Sequence, residues 1–323
     1  CSPLVYTDNA LPGLTGQILA CAPAQNFVHR AEINRNGVLL NIRRPKIKNK
    51  SEFLASEDIW FHPIHLSIGP NGAIYIADFY REIIEDYSAI PRYLQQQYGL
   101  DDGRDHGRIW RLTHNTMPKL KAPNLDELSN GELEKEIFSP RHWRRQTARR
   151  LLIERHDSKK ITTLTDLIKS TLQSKDTVGT VNALYTLEGI EKLDLRLLSH
   201  ALNHAKPGVR RHALRLSERH LDKFHPQYGD IIKLIHDPSP MVRLQLALSL
   251  GEINNKLSIE ALAKLAMLHA GETWLNGAIL SSLGNKSYEM LEILLRTESE
   301  KISKSRPLIV QLCNAIGSRK QGK

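Results

Sequence analysis

Cysteine is scarce in these 323 residues: only Cys1, Cys21 and Cys313 occur, and none stands in a CxxC or CxxCH arrangement. That excludes a zinc ribbon and a c-type haem attachment site within this chain. No apolar run reaches the length needed to cross a bilayer. A Gly-rich phosphate loop, a GxSxG elbow and a cysteine with a base beside it are also lacking, so the common nucleotide-hydrolysing and acyl-transfer signatures are excluded. His200 and His204 sit four apart in SHALNHA, but Ala201 and Leu202 fill the places between them, so no HExxH zinc motif arises. They read as a surface pair on one helix face. The chain opens Cys1-Ser2-Pro3 without a Met, which reads as the interior of a larger protein whose targeting signals lie upstream.

What is present changes character near residue 115. Residues 1–115 hold 12 Lys+Arg and 12 Asp+Glu, whereas the remaining 208 hold 33 and 23, so the whole formal charge of +10 sits on the second part. In the first part, GQILACA, NFVHRAEI and VLLNIRR alternate as strands between Gly, Pro and Asn. Two further strands, about Ile64–Ile68 and Ala73–Asp78, flank a Gly-Pro-Asn-Gly turn in which Asn71-Gly72 supplies the positive φ of a tight hairpin. A helical insertion, REIIEDYSAIPRYLQQQYGL, precedes the closing strand GRIWRL. About seven strands make roughly two four-stranded blades, fewer than a propeller needs to close.

The second part reads as helix pairs starting near Leu128, Lys160, Leu193, Gln227, Leu257 and Tyr288. Gly251, Gly284 and Gly317 each close an apolar helical run and lie 33 residues apart. A period in that range means stacked helix pairs, since one pair cannot bury its own apolar stripe. Trp143, Val178, Val209, Val242 and Trp274 anchor the second helices, and Arg210 and Arg243, each following a Val, brace the neighbouring repeat. The turns KPGVRR and PSPMVR resemble HEAT repeats. The expected organisation is the C-terminal part of a β-propeller over 1–115, a linker over 116–127 and a HEAT-like α-solenoid of about six pairs over 128–323, the helical half folding without the β piece.

GPNGAIYIADFYREII, CSPLVYTDNALPGLTGQILACAPAQNFVHR, SEFLASEDIWFHPIHLSIGP and GRDHGRIWRL resemble, in that order, large secreted proteins of planctomycetes and verrucomicrobia described as membrane-bound dehydrogenases. The resemblance covers residues 1–113. It implies a propeller similar to quinoprotein glucose and sorbosone dehydrogenases, followed by HEAT repeats and commonly by a cytochrome c domain. This chain departs at two places: His62 replaces the usual arginine of a Phe-Arg-Pro step, and His65 the usual Asp or Asn.

The implied function is oxidation of a sugar or polyol with PQQ and Ca²⁺ in a complete propeller, electrons passing to a cytochrome c, in an exported, periplasmic or cell-surface setting. Ligands then bind over the channel where strand ends converge. His62, Asp78 and Arg81 are the catalytic candidates; Asn26, His29, Arg30, Trp60 and Tyr80 are the cofactor-binding ones. Replacing His62 or Asp78 is expected to lower activity with little change in melting. The clustered Asp101, Asp102 and Asp105 offer carboxylates for Ca²⁺, but their spacing is not that of an EF-hand and Arg104 and Arg108 neutralise them.

An oxidising compartment further implies a Cys1–Cys21 disulfide, with two buried free thiols as the alternative, while Cys313 is expected to be a buried free thiol. The rival function is a non-enzymatic scaffold whose propeller and HEAT surfaces bind protein partners. A basic solenoid gripping nucleic acid through Arg141, Arg144, Arg145, Arg149 and Arg150 is disfavoured, because helical spacing spreads those five around the helix.

Overall fold

The computed structural model describes residues 2–46, 51–84, 89–100, 102–103, 105–117, 123–155, 176–220, 228–253, 255–296 and 299–318. It is a mixed fold, antiparallel sheets followed by a succession of helices. The chain divides into two compact units, Cys1–Arg35 with Leu40–Leu151, and Asn36–Leu39 with Leu152–Lys323.

In the first unit, β1 (Pro3–Val5), β2 (Ile18–Ala22), β3 (Phe27–Asn36) and β4 (Leu39–Arg43) pair in sequence order, and β5 (Leu54–Ala55) adds to β3. A second sheet follows the order β6 (Pro63–Ile68), β7 (Ile74–Asp78), β8 (Arg108–Leu112). The β1–β2, β2–β3, β3–β5, β6–β7 and β7–β8 pairings are antiparallel. Among the described residues neither sheet closes into a barrel or ring. The strands expected from the turn at 69–72 stand within one residue of their expected places. Gly72 carries the positive φ, +84°, and Asn71 accepts from the Ala73 N–H through its side chain. The helical insertion is shorter than expected: α1 (Arg92–Gln97) starts after Pro91, and residues 85–88 lie outside the described set.

The core of this unit gathers Tyr6, Leu19, Val28, Leu66, Ile74 and Ile76 between the sheets. Tyr6 is fully buried; its hydroxyl donates to Gly72 O at 2.7 Å and accepts from Leu11 N at 3.1 Å. Beside it, Asp8 accepts from the N–H groups of Asn9 and Ala10, from Arg141 Nη1 at 2.8 Å and from the His142 N–H at 2.8 Å. His142 begins α3 (His142–Arg155), and Arg145 from its first turns donates to Thr7 O. The sheet unit therefore includes α2 (Asn130–Glu136), closed at its start by a Ser129–Glu132 capping box, and most of α3. That places the division inside α3 rather than in the linker expected at 116–127.

The second unit is built of α4 (Thr177–Gly189), α5 (Leu195–Leu202), α6 (Pro207–Ser217), α7 (Tyr228–Lys233), α8 (Pro240–Gly251), α9 (Lys256–Leu268), α10 (Leu275–Ser282), α11 (Ser287–Leu295) and α12 (Ser299–Ser318). Local chemistry sets the starts. Asp176, Asp194 and Asn255 accept a backbone N–H of the first turn, and Pro207 and Pro240 occupy first-turn positions where their missing N–H costs nothing. The second helices pack in succession, α4 on α6, α6 on α8 and α8 on α10, while α5 touches α7 and α9 touches α11. The first helix of the pair expected near Lys160 lies outside the described residues, and α4 stands where its second helix is expected.

Arg210 on α6 makes a bidentate pair with Asp237 before α8, at 2.6 and 2.8 Å, and caps the His204 and Ala205 carbonyls. One repeat on, Arg243 reaches the Asp237 carbonyl and Glu272. The bracing expected of these arginines is present. A buried, fully hydrogen-bonded pair is costly to break from one side, about 3–5 kcal/mol.

Several expectations are corrected here. Val209 and Val242 are fully buried, but Val178 and Trp274 are 51% and 66% exposed and Trp143 is half-buried. Trp274 precedes α10 at φ +68°, so Leu275 is the first inward residue; on α4 that place falls to Gly179 and Thr180. Cys313 is exposed, because Leu308 and Leu312 carry the buried stripe of α12. His204 is no surface residue: α5 ends at Leu202, and His204 is buried in the following turn, its Nδ1 accepting from Lys206 N. Cys21 is buried and burial pushes its thiol pKa up, while Cys1, and with it the expected bridge, lies outside the described residues.

The three periodic glycines differ physically. A Cβ on Gly251 meets Ser282 Cβ at 2.7 Å and its Cα at 2.9 Å, so α8 approaches α10 closely there. Gly284 has open space but φ +54°, and Gly317 has neither constraint. Gly251→Ala is expected to cost about 1–3 kcal/mol by overpacking, Gly284→Ala about 1–2 kcal/mol by left-handed strain, and Gly317→Ala should be neutral or stabilising. Thermal unfolding of the three variants checks this, and equal effects would overturn the distinction.

Burial also raises the Tyr6 phenol from the ordinary value of 10.0 to about 12. The neutral form is favoured in the fold, so stability present below pH 10 is lost as pH rises from about 10 towards about 12. Tyr6→Phe should flatten that alkaline loss in pH-dependent urea unfolding while leaving Leu11 N and Gly72 O unsatisfied, at about 1–3 kcal/mol.

Candidate functional site

The end of β7 is organised by Asp78, whose carboxylate is buried. Oδ1 accepts from the N–H groups of His62 (2.9 Å) and Tyr80 (3.1 Å). Oδ2 accepts from Trp110 Nε1 at 3.0 Å and faces Arg108 Nε at 3.5 Å. The bond to Tyr80, two residues on, is the Asx arrangement that holds a turn. It stabilises Tyr80 at φ +46°, a left-handed conformation that costs a non-glycine residue about 1–2 kcal/mol. The Arg108 guanidinium lies 3.6 Å from the Tyr80 ring centroid and 5.2 Å from that of Trp110, and it also reaches Asp58 at 3.4 Å.

Around this anchor the segments 59–62 and 78–82 run side by side. Phe79 N donates to His62 O, and Arg81 N to Trp60 O. Trp60 meets Tyr80 edge-to-face at 5.5 Å, and its indole N–H donates to Glu82. Asn26, in a left-handed conformation after the turn at Pro23–Gln25, holds the first segment by donating to Ile59 O and Phe61 O.

Two groups here have unused capacity. His62 is buried and its Nδ1 lies 2.7 Å from Pro23 O; a carbonyl only accepts, so Nδ1 carries a hydrogen, and in the neutral ring Nε2 has the lone pair. Nε2 is buried with no partner. Arg81 is half-buried over the Phe79 ring, 4.6 Å from its centroid, and its Nε is buried without a hydrogen bond.

Of the eight residues expected from sequence, Asn26, Trp60, His62, Asp78, Tyr80 and Arg81 come together. His29 and Arg30 do not join them: His29 pairs with Glu52 at 2.9 Å, and Arg30 bonds Gln17 and the Gly13 carbonyl. His65 is exposed on β6. Arg108 and Trp110 were missed. The signal was available in GRIWRL, since pairing that strand with β7 puts Arg108 opposite Asp78 and Trp110 opposite Ile76. Among the described residues no group of three or more His, Cys, Asp or Glu side chains is placed to hold a metal ion; Asp101 lies outside that set.

Residues 1–116 match a family described as a domain of unknown function, DUF7133. No curated protein matches the chain. Among solved structures, a crystal structure of an engineered protein aligns with 57% of this chain and 98% of its own, at 18% identity and a TM-score of 0.32, too low to define a shared fold.

The sequence reading expected Asp78→Ala to act on activity rather than folding; the geometry reverses this. Losing the carboxylate strands two backbone N–H groups, an indole N–H and a guanidinium, and should cost about 3–5 kcal/mol. His62→Gln, which leaves the backbone N–H that donates to Asp78 in place, should cost about 1 kcal/mol, the net worth of the side-chain hydrogen bond to Pro23 O. Melting curves followed by circular dichroism separate the two, and an Asp78→Ala protein melting within about 2 °C of the parent would refute the anchoring role.

Proposed function

We propose that residues 1–115 form part of a β-propeller of the quinoprotein sugar-dehydrogenase type and that the following helices form a HEAT-like solenoid. The whole would be an exported oxidoreductase that oxidises a sugar or polyol and passes electrons to a cytochrome c. The propeller reading is supported by successive antiparallel sheets, one with a four-strand path, and by the resemblance of residues 1–113. The solenoid reading is supported by the row of second helices and by the arginines, 33 residues apart, that join one pair to the next.

One observation carries the catalytic reading. His62 has its Nδ1–H held on a carbonyl, which fixes a lone pair on a buried, unpartnered Nε2. That is the arrangement of a neutral general base. A substrate hydroxyl would hydrogen-bond to Nε2 and give up its proton there. Arg81 would hold an anionic group against Phe79, and Asp78, with both oxygens engaged, would position His62 and Tyr80. PQQ fits in one respect, since its carboxylates suit the free Arg81 guanidinium; when bound it supplies a quinone that accepts the hydride equivalent. Calcium does not fit the described residues, which offer no carboxylate cluster for it.

A second reading, a non-enzymatic scaffold for protein partners, is favoured by one fact: no carboxylate of the cluster is left free to act. Dye-linked oxidation of aldoses and polyols by the full-length gene product, supplied with PQQ, decides between them. His62→Gln should lower kcat/KM at least about tenfold, a barrier change of roughly 1.4 kcal/mol, with Tm nearly unchanged. Turnover indifferent to His62→Gln, or none in the parent protein, would favour the scaffold.

A further inference from the structure

The three-stranded sheet ends at β8, and among the described residues no strand pairs with its outer edge. Natural edges are guarded by proline, lysine, bulges or a covering segment, because a row of free N–H and C=O groups templates a new strand. Among the described residues β8 carries no proline, lysine or bulge, and its charged residues are Arg108 and Arg111. Ile109 is 75% and Trp110 46% exposed. A cleft of about 260 Å³ lies against the strand, walled by Leu54, Phe61, Ile76, Trp110, Arg111 and Leu112. Successive strand residues point to opposite faces. Trp110 and Leu112 share one face of the sheet with Ile76, so the cleft lies on that face, between β8 and β5, and Arg111 stands at its rim. Trp110 is fixed in place by its bond to Asp78, so that wall is preformed. Arg111 is exposed and makes no ion pair or hydrogen bond, unlike Arg108 beside it.

We propose that β8 is a strand-addition site for an extended segment carrying an acidic residue between two apolar ones. Backbone hydrogen bonds to β8 would supply affinity. The apolar side chains would lie against Trp110 and Leu112 and fill the cleft, and the carboxylate would meet Arg111 as a cross-strand pair. Charge complementarity to Arg111 selects this partner over a plain hydrophobic strand. The site shares Trp110 with the Asp78 anchor but does not use His62, and the proposal holds whether or not the chain is an oxidoreductase.

The test uses the full 323-residue chain and a blocked, fluorescently labelled peptide, Thr-Val-Thr-Val-Glu-Val-Thr, with a second peptide in which Lys replaces Glu. The Glu peptide should bind with a Kd of about 0.1 mM and slow amide hydrogen exchange at Ile109–Leu112, while the Lys peptide binds about tenfold more weakly or worse. Arg111→Glu, at an exposed position without partners, should leave the fold intact and reverse the preference. Absence of binding, binding without protection of β8, or equal affinities in the Arg111→Glu protein would overturn the proposal. Protection of β8 without peptide that grows with protein concentration would also overturn it, since a second copy of this chain would then be the occupant.

Discussion

A buried carboxylate satisfied by backbone N–H groups and one arginine is the constraint on which both units depend. Asp8 gathers Asn9, Ala10, the start of α3 and Arg141; Asp78 gathers His62, Tyr80, Trp110 and Arg108; Asp237 gathers Ser239 and Arg210. An ionised carboxylate taken from water loses several kcal/mol of solvation. Only directed donors in number offset that loss, and each donor arrives from a different segment. The carboxylate therefore acts as a geometric specification: a segment that drifts leaves a buried charge short of a partner. Apolar packing tolerates small shifts, whereas these three sites do not.

The same fact decides what the sequence could reveal. Local signals were legible: the Asn71-Gly72 turn, the alternation in β2, β3 and β8, and the capped and proline-started helices. They depend on neighbours within a few residues. Asp8 was invisible because Arg141 and His142 lie more than 130 residues away and nothing in TDNALPG marks the carboxylate as buried. Six of the eight site residues were found because they sit at strand ends that a hairpin brings together. His29 and Arg30 failed because they lie on the neighbouring sheet, where Glu52 and Gln17 engage them. Val178 and Trp274 failed because a period of about 33 fixes where helices recur but not their rotation by one residue, and one residue turns a helical side chain by about 100°.

Net charge was a poorer guide than it seemed from composition. Arg141, Arg144 and Arg145 are engaged with Asp8, Glu136 and the Ser139 and Thr7 carbonyls, and Arg210 and Arg243 are nearly buried against Asp237 and Glu272. These cations are internal fasteners. Their guanidinium groups are spent on holding segments together rather than displayed as a binding stripe.

At the site, anchoring and chemistry are divided between residues. Both oxygens of Asp78 are engaged, by three hydrogen-bond donors and the facing Arg108 guanidinium, so its part is to hold the surrounding segments in place. In the proposed oxidoreductase the proton-accepting role would fall to His62, whose Nδ1 lies 2.7 Å from the Pro23 carbonyl oxygen. A carbonyl fixes the ring as a carboxylate would, but contributes no full negative charge to an imidazolium. His62 is thus well oriented and weakly assisted. Such a base suits a step in which the substrate's negative charge is withdrawn as the proton leaves, as when a hydride equivalent departs from the same carbon. It suits poorly a step that leaves an alkoxide in place. Among the described residues of the cluster, Arg81 carries a positive charge that no acidic side chain engages.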